Sequence, residues 1–550
     1  MSDQHQSEQP DTPEQQENKP VPADLGREPV QPPQEAYTTV DGRALDPSTA
    51  LVVKGVQPRS TVYVGPRLTI SKSVDVEGAV RVLEAVAKPL GWRVELEPED
   101  ESSAGLRFGV RRVKLSVASA GVTLQPDGWT LLQQVRDQFG VEAVKGVGLD
   151  HVVFADDIGA NPYDMSHPYD MSHPYDMSHP YDMSHPYDMS HPTGLLGRDS
   201  YPGYSPALAT YAMPGSGGRQ PIAYVGPAPH RRKAKKLPGR RPVVALMDTG
   251  CAWHPWLHGL VDRSVEYAGQ RIGYHDPHTD PELHQDLTGP LDGMIDPLSG
   301  HGTFIAGLIR QGCPDADIIS WRIVPSSGPI IESDWVKALA QVADLVNSGE
   351  QHLDVLSLSI GYYHETPKDE LFDPTLYDIL SDLGRNGVMV VCSAGNDATS
   401  RPSFPAAFAP WSDGNGPYQP DPDLVPIVSV GALNPNQRSD ALFSNAGPWV
   451  RSYVPGAAVM STMPPFEGGL QPVARSGAFR RLRSSIDPDD FRGRFGVWSG
   501  TSFAAPLMGA VLAEGLIPLL EDDGVAVTRE ERVERAWKVV SRYTSISLPE

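Results

Sequence analysis

The sequence predicts an α/β protein, a doubly wound parallel sheet preceded by a small α+β domain of split-βαβ order. Three observations carry this. From Arg241 onward, short apolar runs alternate with helical patterns, as in parallel strands covered on both faces. Residues 37–160 instead read strand, helix, strand, strand, helix, strand, the order of a split-βαβ sandwich. Between the two lies a stretch rich in Pro, Gly and Ser with no apolar period, which separates them as domains.

Residues 1–36 hold eight acidic and two basic residues among many Gln and Pro. Such a segment buries too little apolar area to offset its ordering entropy, so it is expected to be a disordered acidic tail. In the α+β domain, an extended run through TVYVG precedes the helical pattern VEGAVRVLEAVAKPLG. Two strands, WRVELEP and RRVKLSVAS, follow, then the helix GWTLLQQVRDQFG and the strand VKGVGLDHVVFA.

Residues 161–192 contain five perfect copies of PYDMSH. A proline every sixth residue excludes a helix, and no face is apolar, so a flexible spacer is expected. The copies set His167, His173, His179, His185 and His191 at regular intervals beside Asp, which leaves a metal-binding role as the lesser reading. Residues 193–240 continue as a Gly/Pro-rich linker ending in HRRKAKKLPGRR, with seven basic residues between Arg231 and Arg241. That run reads as a basic segment docking on an acidic body. A processing site is a second reading, and nucleic-acid binding is the weakest.

In the last domain, 241–545, the buried strands are VVALM, IISWRIV, VLSLSI, VMVVCSA and IVSVGAL. The clearest helix is SDWVKALAQVADLVNSG, with a cap expected at Ser333 or Asp334 and a stop at Gly349. Ligands of such sheets bind beyond the carboxyl ends of the strands, and four segments place chemistry there. Asp248 ends the first strand in MDTG; Asp-Thr-Gly alone also occurs in aspartic proteases. His301 opens an apolar helix in SGHGTF, where a lone His is ordinarily structural or solvated. Asn396 follows a buried strand in SAGN; its amide suits an oxyanion, though such an Asn is more often a turn residue. Ser502 opens a helix in GTSFAAP. A serine there is ordinarily a cap, but this surrounding heptapeptide is too specific for that.

Together these segments resemble the subtilase family of serine peptidases, over about residues 205–545 and in the chain order Asp, His, Ser. The resemblance implies a subtilisin-like serine endopeptidase. Asp248 would orient His301, His301 would act as base and then acid, and Ser502 would attack the carbonyl. Asn396, with the Ser502 amide, would form the oxyanion hole. The segment SLSIG, with Ser357, Leu358, Ser359 and Gly361, resembles the strand that holds substrate backbone. No cofactor is required. Structural calcium is common in the family, and the loop HDPHTDPELHQDL before His301 is the candidate for it or for another metal, against a plain solvated loop. The family commonly has a second His where Phe304 stands. A long segment near 464–496 is expected to shape the cleft rim or a partner surface. Many subtilases carry a β-α-β-β-α-β propeptide, so residues 37–160 are expected to act as an intramolecular inhibitor or folding aid, or else as a recognition module.

Three functions compete: an active protease on protein or peptide substrates, a catalytically silent subtilase scaffold used for protein binding, and a metal-responsive protein built on the His repeats. The net charge of −23 argues against nucleic acid or an anionic membrane as the partner. There are three cysteines, far apart. With no secretory signal and no long apolar run, this predicts a cytoplasmic protein without a disulfide framework.

Overall fold

The computed structural model describes residues 28–29, 32, 34–155 without 54–55 and 119–123, and 219–548 with short breaks at 289–290, 292, 327, 367–373, 470–471, 473–474 and 521–526. The PYDMSH repeats, nearly all of the acidic tail and most of the Gly/Pro linker lie outside the described residues.

The N-terminal domain follows the expected order. Strand β1 (Gly42–Leu45) precedes β2 (Thr61–Ser71), α1 (Val76–Ala87), β3 (Trp92–Leu96), β4 (Val110–Val117), α2 (Gly128–Phe139) and β5 (Val147–Ala155). The sheet runs β5-β2-β4-β3, all antiparallel, with β1 beside β2. Both helices start on an Asp, Asp75 and Asp127, whose carboxylate accepts the amide three residues on. Their apolar stripes bury Leu83, Val86, Leu131, Leu132 and Val135 against the sheet. One boundary differs from expectation. Gly65-Pro66 reads as the end of the first strand, yet β2 runs on to Ser71. The register against β5 shifts between Tyr63 and Leu68, a bulge that carries the strand past its proline.

The second domain is built on strands β6 (Val243–Asp248), β7 (Asp317–Arg322), β9 (Val355–Leu358), β11 (Met389–Ser393), β12 (Val428–Leu433) and β13 (Ser452–Pro455), with the short strands β8 (Ile330–Ile331) and β10 (Ile360–Gly361) outside that sheet. Its order is β13-β12-β11-β9-β6-β7, with Val261–Asp262 at the far edge, and all pairs are parallel. Helices α3 (His301–Gly312) and α6 (Thr501–Leu516) cover one face, and α4 (Glu332–Ser348) and α5 (Thr375–Arg385) the other. Along β6 the side chains alternate between the two cores: Val244 and Leu246 join the first, Ala245 and Met247 the second. The closing helix α7 (Arg529–Tyr543) packs on α6. By length and composition alone, the segment Thr501–Leu519 could cross a membrane, but 67% of it is buried; it is the helix of the core. Cys251, Cys313 and Cys392 are buried thiols.

The basic run does dock on acidic groups. Arg231 pairs with Asp317, Arg232 and Arg241 with Asp315, and Arg240 with Asp354. The chain already joins the body at Arg219, before the expected linker ends. Gln220–Pro221 pairs with Gly496–Val497, and the buried Arg219 guanidinium lies 4.6 Å above the Trp498 ring.

The two domains share a sheet. Strand β5 pairs antiparallel with β8 on one edge, Ile330 opposite Val153, and with β10, Gly361 opposite Phe154. The cap of α4 also differs from expectation. The helix begins at Glu332 without a capping side chain of its own. Asp150 of β5 takes that place, accepting from the Ser333 amide at 3.0 Å and the Ser333 hydroxyl at 2.8 Å. Arg112 pairs with Asp334, and Arg107 bridges Asp344 of α4 and Asp382 of α5.

Candidate active site

Asp248, His301 and Ser502 come from three elements that meet at the carboxyl end of the parallel sheet. Asp248 is the last residue of β6, and His301 the first of α3. The His301 Nδ1–H donates to Asp248 Oδ1 at 2.7 Å, and both residues are buried. The second acceptor duty of Asp248 Oδ1 goes to the Thr249 amide at 2.8 Å. Gly302 lets the helix come this close: a Cβ there would sit 2.0 Å from the Gly250 carbonyl oxygen. Behind the imidazole stands an aromatic wall. The Phe503 and Trp498 rings lie 5.2 and 5.6 Å from His301 by centroid. Phe304, at the position where a second His is common in the family, packs 4.6 Å from Phe503. That substitution extends the wall rather than opening the site.

Ser502 is the second residue of α6 and is buried. Pro506 lies in the same helix and has no N–H, so the Ser502 carbonyl receives no helical donor from it. The Ser359 hydroxyl donates to that carbonyl at 2.9 Å instead. Of the four SLSIG residues read as substrate-binding, Ser357 and Leu358 are buried in β9, and Ser359 is committed to Ser502. Gly361 is the one whose backbone pairs with β5.

Asn396 follows β11. Its Oδ1 accepts from both the amide and the hydroxyl of Thr501 at 2.9 Å. That fixes which way the amide faces: its Nδ2 points away from Thr501, on the side of Gly500, where a Cβ would lie 3.6 Å off. Asn445 holds the same strand end. It donates to the Ala394 carbonyl and accepts from the Asp397 and Thr399 amides.

Reading the sequence missed Glu282. It sits in the His- and carboxylate-rich loop, but the structure buries it beneath the Asp–His pair. Glu282 accepts from the Thr249 hydroxyl at 2.5 Å, the Gly302 amide at 3.1 Å and the Thr303 hydroxyl, so it ties the Asp248 turn to the His301 helix. Burial pushes its carboxyl up to about 7, against the hydrogen bonds from Thr249 and Thr303. Two other carboxylates of the loop hold turns: Asp276 accepts from the His278 amide and Asp280 from the Glu282 amide. Among the described residues, this loop does not bring three metal-ligating side chains together.

Glu282 gives a pH-dependent stability. Below about 4.5, its ordinary value, the carboxyl is protonated in both folded and unfolded chains. As pH rises toward 7, the unfolded chain loses the proton first, so folding stability falls, and it levels off above 7. The expected loss is on the order of 3 kcal/mol. In thermal melts from pH 4 to 8, Glu282→Gln should remove this decline. Parallel pH profiles for both proteins would refute it.

A sequence profile of the subtilase family matches residues 239–517 of the 550. The chain belongs to the subtilase family. The match covers the parallel sheet, the Asp248–His301 pair and Ser502. The major intracellular serine protease of Bacillus subtilis is 25% identical over 295 residues, 51% of this subtilase and 70% of that protein. A thermophilic serine proteinase of Bacillus sp. (strain AK1) is 28% identical over 215 residues, 36% of this chain and 46% of its own length. Among solved structures, fervidolysin from Fervidobacterium pennivorans, a keratinolytic enzyme related to subtilisin, aligns with 86% of this subtilase and 56% of its own chain, at 17% identity and a TM-score of 0.43. The subtilase thus spans less than two thirds of the latter two proteins.

Proposed function

We propose that this subtilase is a serine endopeptidase acting through Asp248, His301 and Ser502 by way of an acyl-enzyme. The observation that carries the reading is the buried His301–Asp248 hydrogen bond, 2.7 Å long. It holds the proton on Nδ1, so Nε2 is the basic atom. His301 Nε2 takes the Ser502 proton as Oγ attacks the carbonyl, then gives it to the departing amine. Water repeats the sequence on the ester. Asn396 Nδ2 and the Ser502 amide, at the start of α6, stabilise the oxyanion. The substrates are proteins or peptides. An intracellular setting fits the name of the first relative and the three thiols, and fractionation of tagged protein would test it.

We further propose that the N-terminal domain keeps the enzyme latent. Strand β5 lies between β8 and β10 as an added strand, the way an extended peptide joins a sheet edge. Its last residue, Ala155, pairs with Ile360, the neighbour in sequence of Ser359, whose hydroxyl touches the Ser502 carbonyl. The strand therefore runs toward the nucleophile, and a tethered blocker competes at high effective concentration. Asp150→Arg should weaken docking by about 10²-fold or more, because it leaves Arg67 and the α4 terminus facing a buried like charge. The full-length variant should then cleave a short chromogenic peptide faster than wild type. Equal rates, with unchanged circular dichroism, would end the latency reading and favour a recognition module.

A further inference from the structure

Where β5 meets the catalytic domain, four titratable side chains converge that neither the triad nor the helix cap uses. His151 belongs to β5, Glu332 opens α4, and His364 and Glu365 follow β10. His151 Nδ1 lies 2.6 Å from Glu332 Oε2, and His151 Nε2 lies 2.7 Å from Glu365 Oε2. His364 Nδ1 stands 3.4 Å from the same Glu365 oxygen. His151, His364 and Glu365 are all buried, at 2%, 5% and 1% exposure. One ligand atom from each lies within 4.8 Å of the others.

We infer that His151, His364 and Glu365 form a binding site for a divalent transition-metal ion of the zinc class, bridging the N-terminal and catalytic domains. The spacing suits it. Tetrahedral zinc with bonds of about 2.0–2.1 Å sets its ligand atoms roughly 3.3 Å apart. Two of the three separations, 2.7 and 3.4 Å, bracket that value, and the third is within 4.8 Å, so a small inward shift of His364 completes the set. The donor set suits it too. Two imidazoles and one carboxylate match zinc, whereas calcium and magnesium take oxygen. Glu332 holds the Nδ1–H of His151, which turns the Nε2 lone pair toward the ion, the usual carboxylate–histidine–metal relay. His364 Nδ1 accepts from the Thr366 amide at 3.1 Å, a hydrogen bond that the ion would displace. A cavity of about 20 Å³ borders His151, Glu332 and His364, enough for a water as fourth ligand.

Charge points the same way. His151 touches two carboxylates, Glu332 and Glu365. A divalent ion at the His151 Nε2 position would offset both. Because the ligands come from both domains, the ion would clasp β5 in place. That consequence rests on the latency proposed above.

The test uses full-length Ser502→Ala, which cannot process itself. Zinc is titrated against a chromophoric chelator, and cobalt is added for its visible bands. The expected result is one tight site per chain with a tetrahedral cobalt spectrum. His364→Gln should lose that spectrum and bind at least about 10-fold more weakly. The comparison with His364→Gln also cancels binding by histidines elsewhere, of which the chain has many. Should His364→Gln disturb folding by circular dichroism, Glu332→Gln gives the second reading, with weakened zinc binding but a retained cobalt spectrum. No tight site, or equal binding by wild-type ligands and His364→Gln, overturns the inference and leaves a proton-bridged ion triad. Latency is read separately, from the rate of Asp150→Arg, so either idea can fail alone.

Discussion

Ser502→Ala is expected to lower peptide hydrolysis by about 10⁶-fold, the loss seen in subtilisin when its nucleophile is removed. The change deletes one hydroxyl from a buried position at the start of α6. It leaves the Ser502 carbonyl, which the Ser359 hydroxyl holds, and it does not touch the His301–Asp248 pair. Thermal stability and circular dichroism should therefore match wild type while catalysis disappears. Two readouts check this: turnover of a short chromogenic peptide, and mass spectrometry of self-cleavage products in incubated full-length protein. Cleavage by the variant at more than a few per cent of the wild-type rate would mean that another residue is the nucleophile. A silent scaffold, by contrast, would show no turnover in either protein even with the N-terminal domain released.

The central sheet and the positions of Asp248, His301, Asn396 and Ser502 were legible because each rests on local chemistry. Apolar strands end in small residues, and helices begin where the sequence supplies Gly-His-Gly or Gly-Thr-Ser. What escaped depends on contacts far apart in sequence. Glu282 looks like any acidic loop residue, and only the fold brings it against Thr249 and Gly302. The cap of α4 was sought at Ser333 and Asp334 because local signals are all a sequence offers. The group that fills it, Asp150, is 183 residues away. The role of Asn445 was hidden for the same reason. So was the hydrogen bond from the Ser359 hydroxyl to the Ser502 carbonyl. In SLSIG the pattern located the right strand, but not which residues face the cleft: only Gly361 of the four pairs with β5.

Asn396→Leu is expected to cut kcat by about 10²–10³-fold with little change in KM, a magnitude carried over from the matching donor of subtilisin. Leucine keeps the branched shape of the side chain and removes the amide. The ground-state carbonyl of a bound peptide needs little from this donor, whereas the tetrahedral oxyanion needs it most, so the loss falls on the chemical step. The geometry adds a second arm. Asn396 Oδ1 accepts from the Thr501 amide and hydroxyl, both at 2.9 Å, and this fixes Nδ2 toward the side of Gly500. Thr501 thus acts as a positioning residue. Thr501→Val removes the hydroxyl but leaves the backbone amide, so it should lower kcat by less than Asn396→Leu does, again without raising KM. In the double variant the Thr501 effect should vanish, because there is no amide left to orient. Steady-state kinetics on one peptide substrate, with the N-terminal domain released, provide the whole cycle. A rise in KM at constant kcat in Asn396→Leu would assign the amide to substrate binding and take it out of the oxyanion hole. Additive losses in the double variant would separate Thr501 from it.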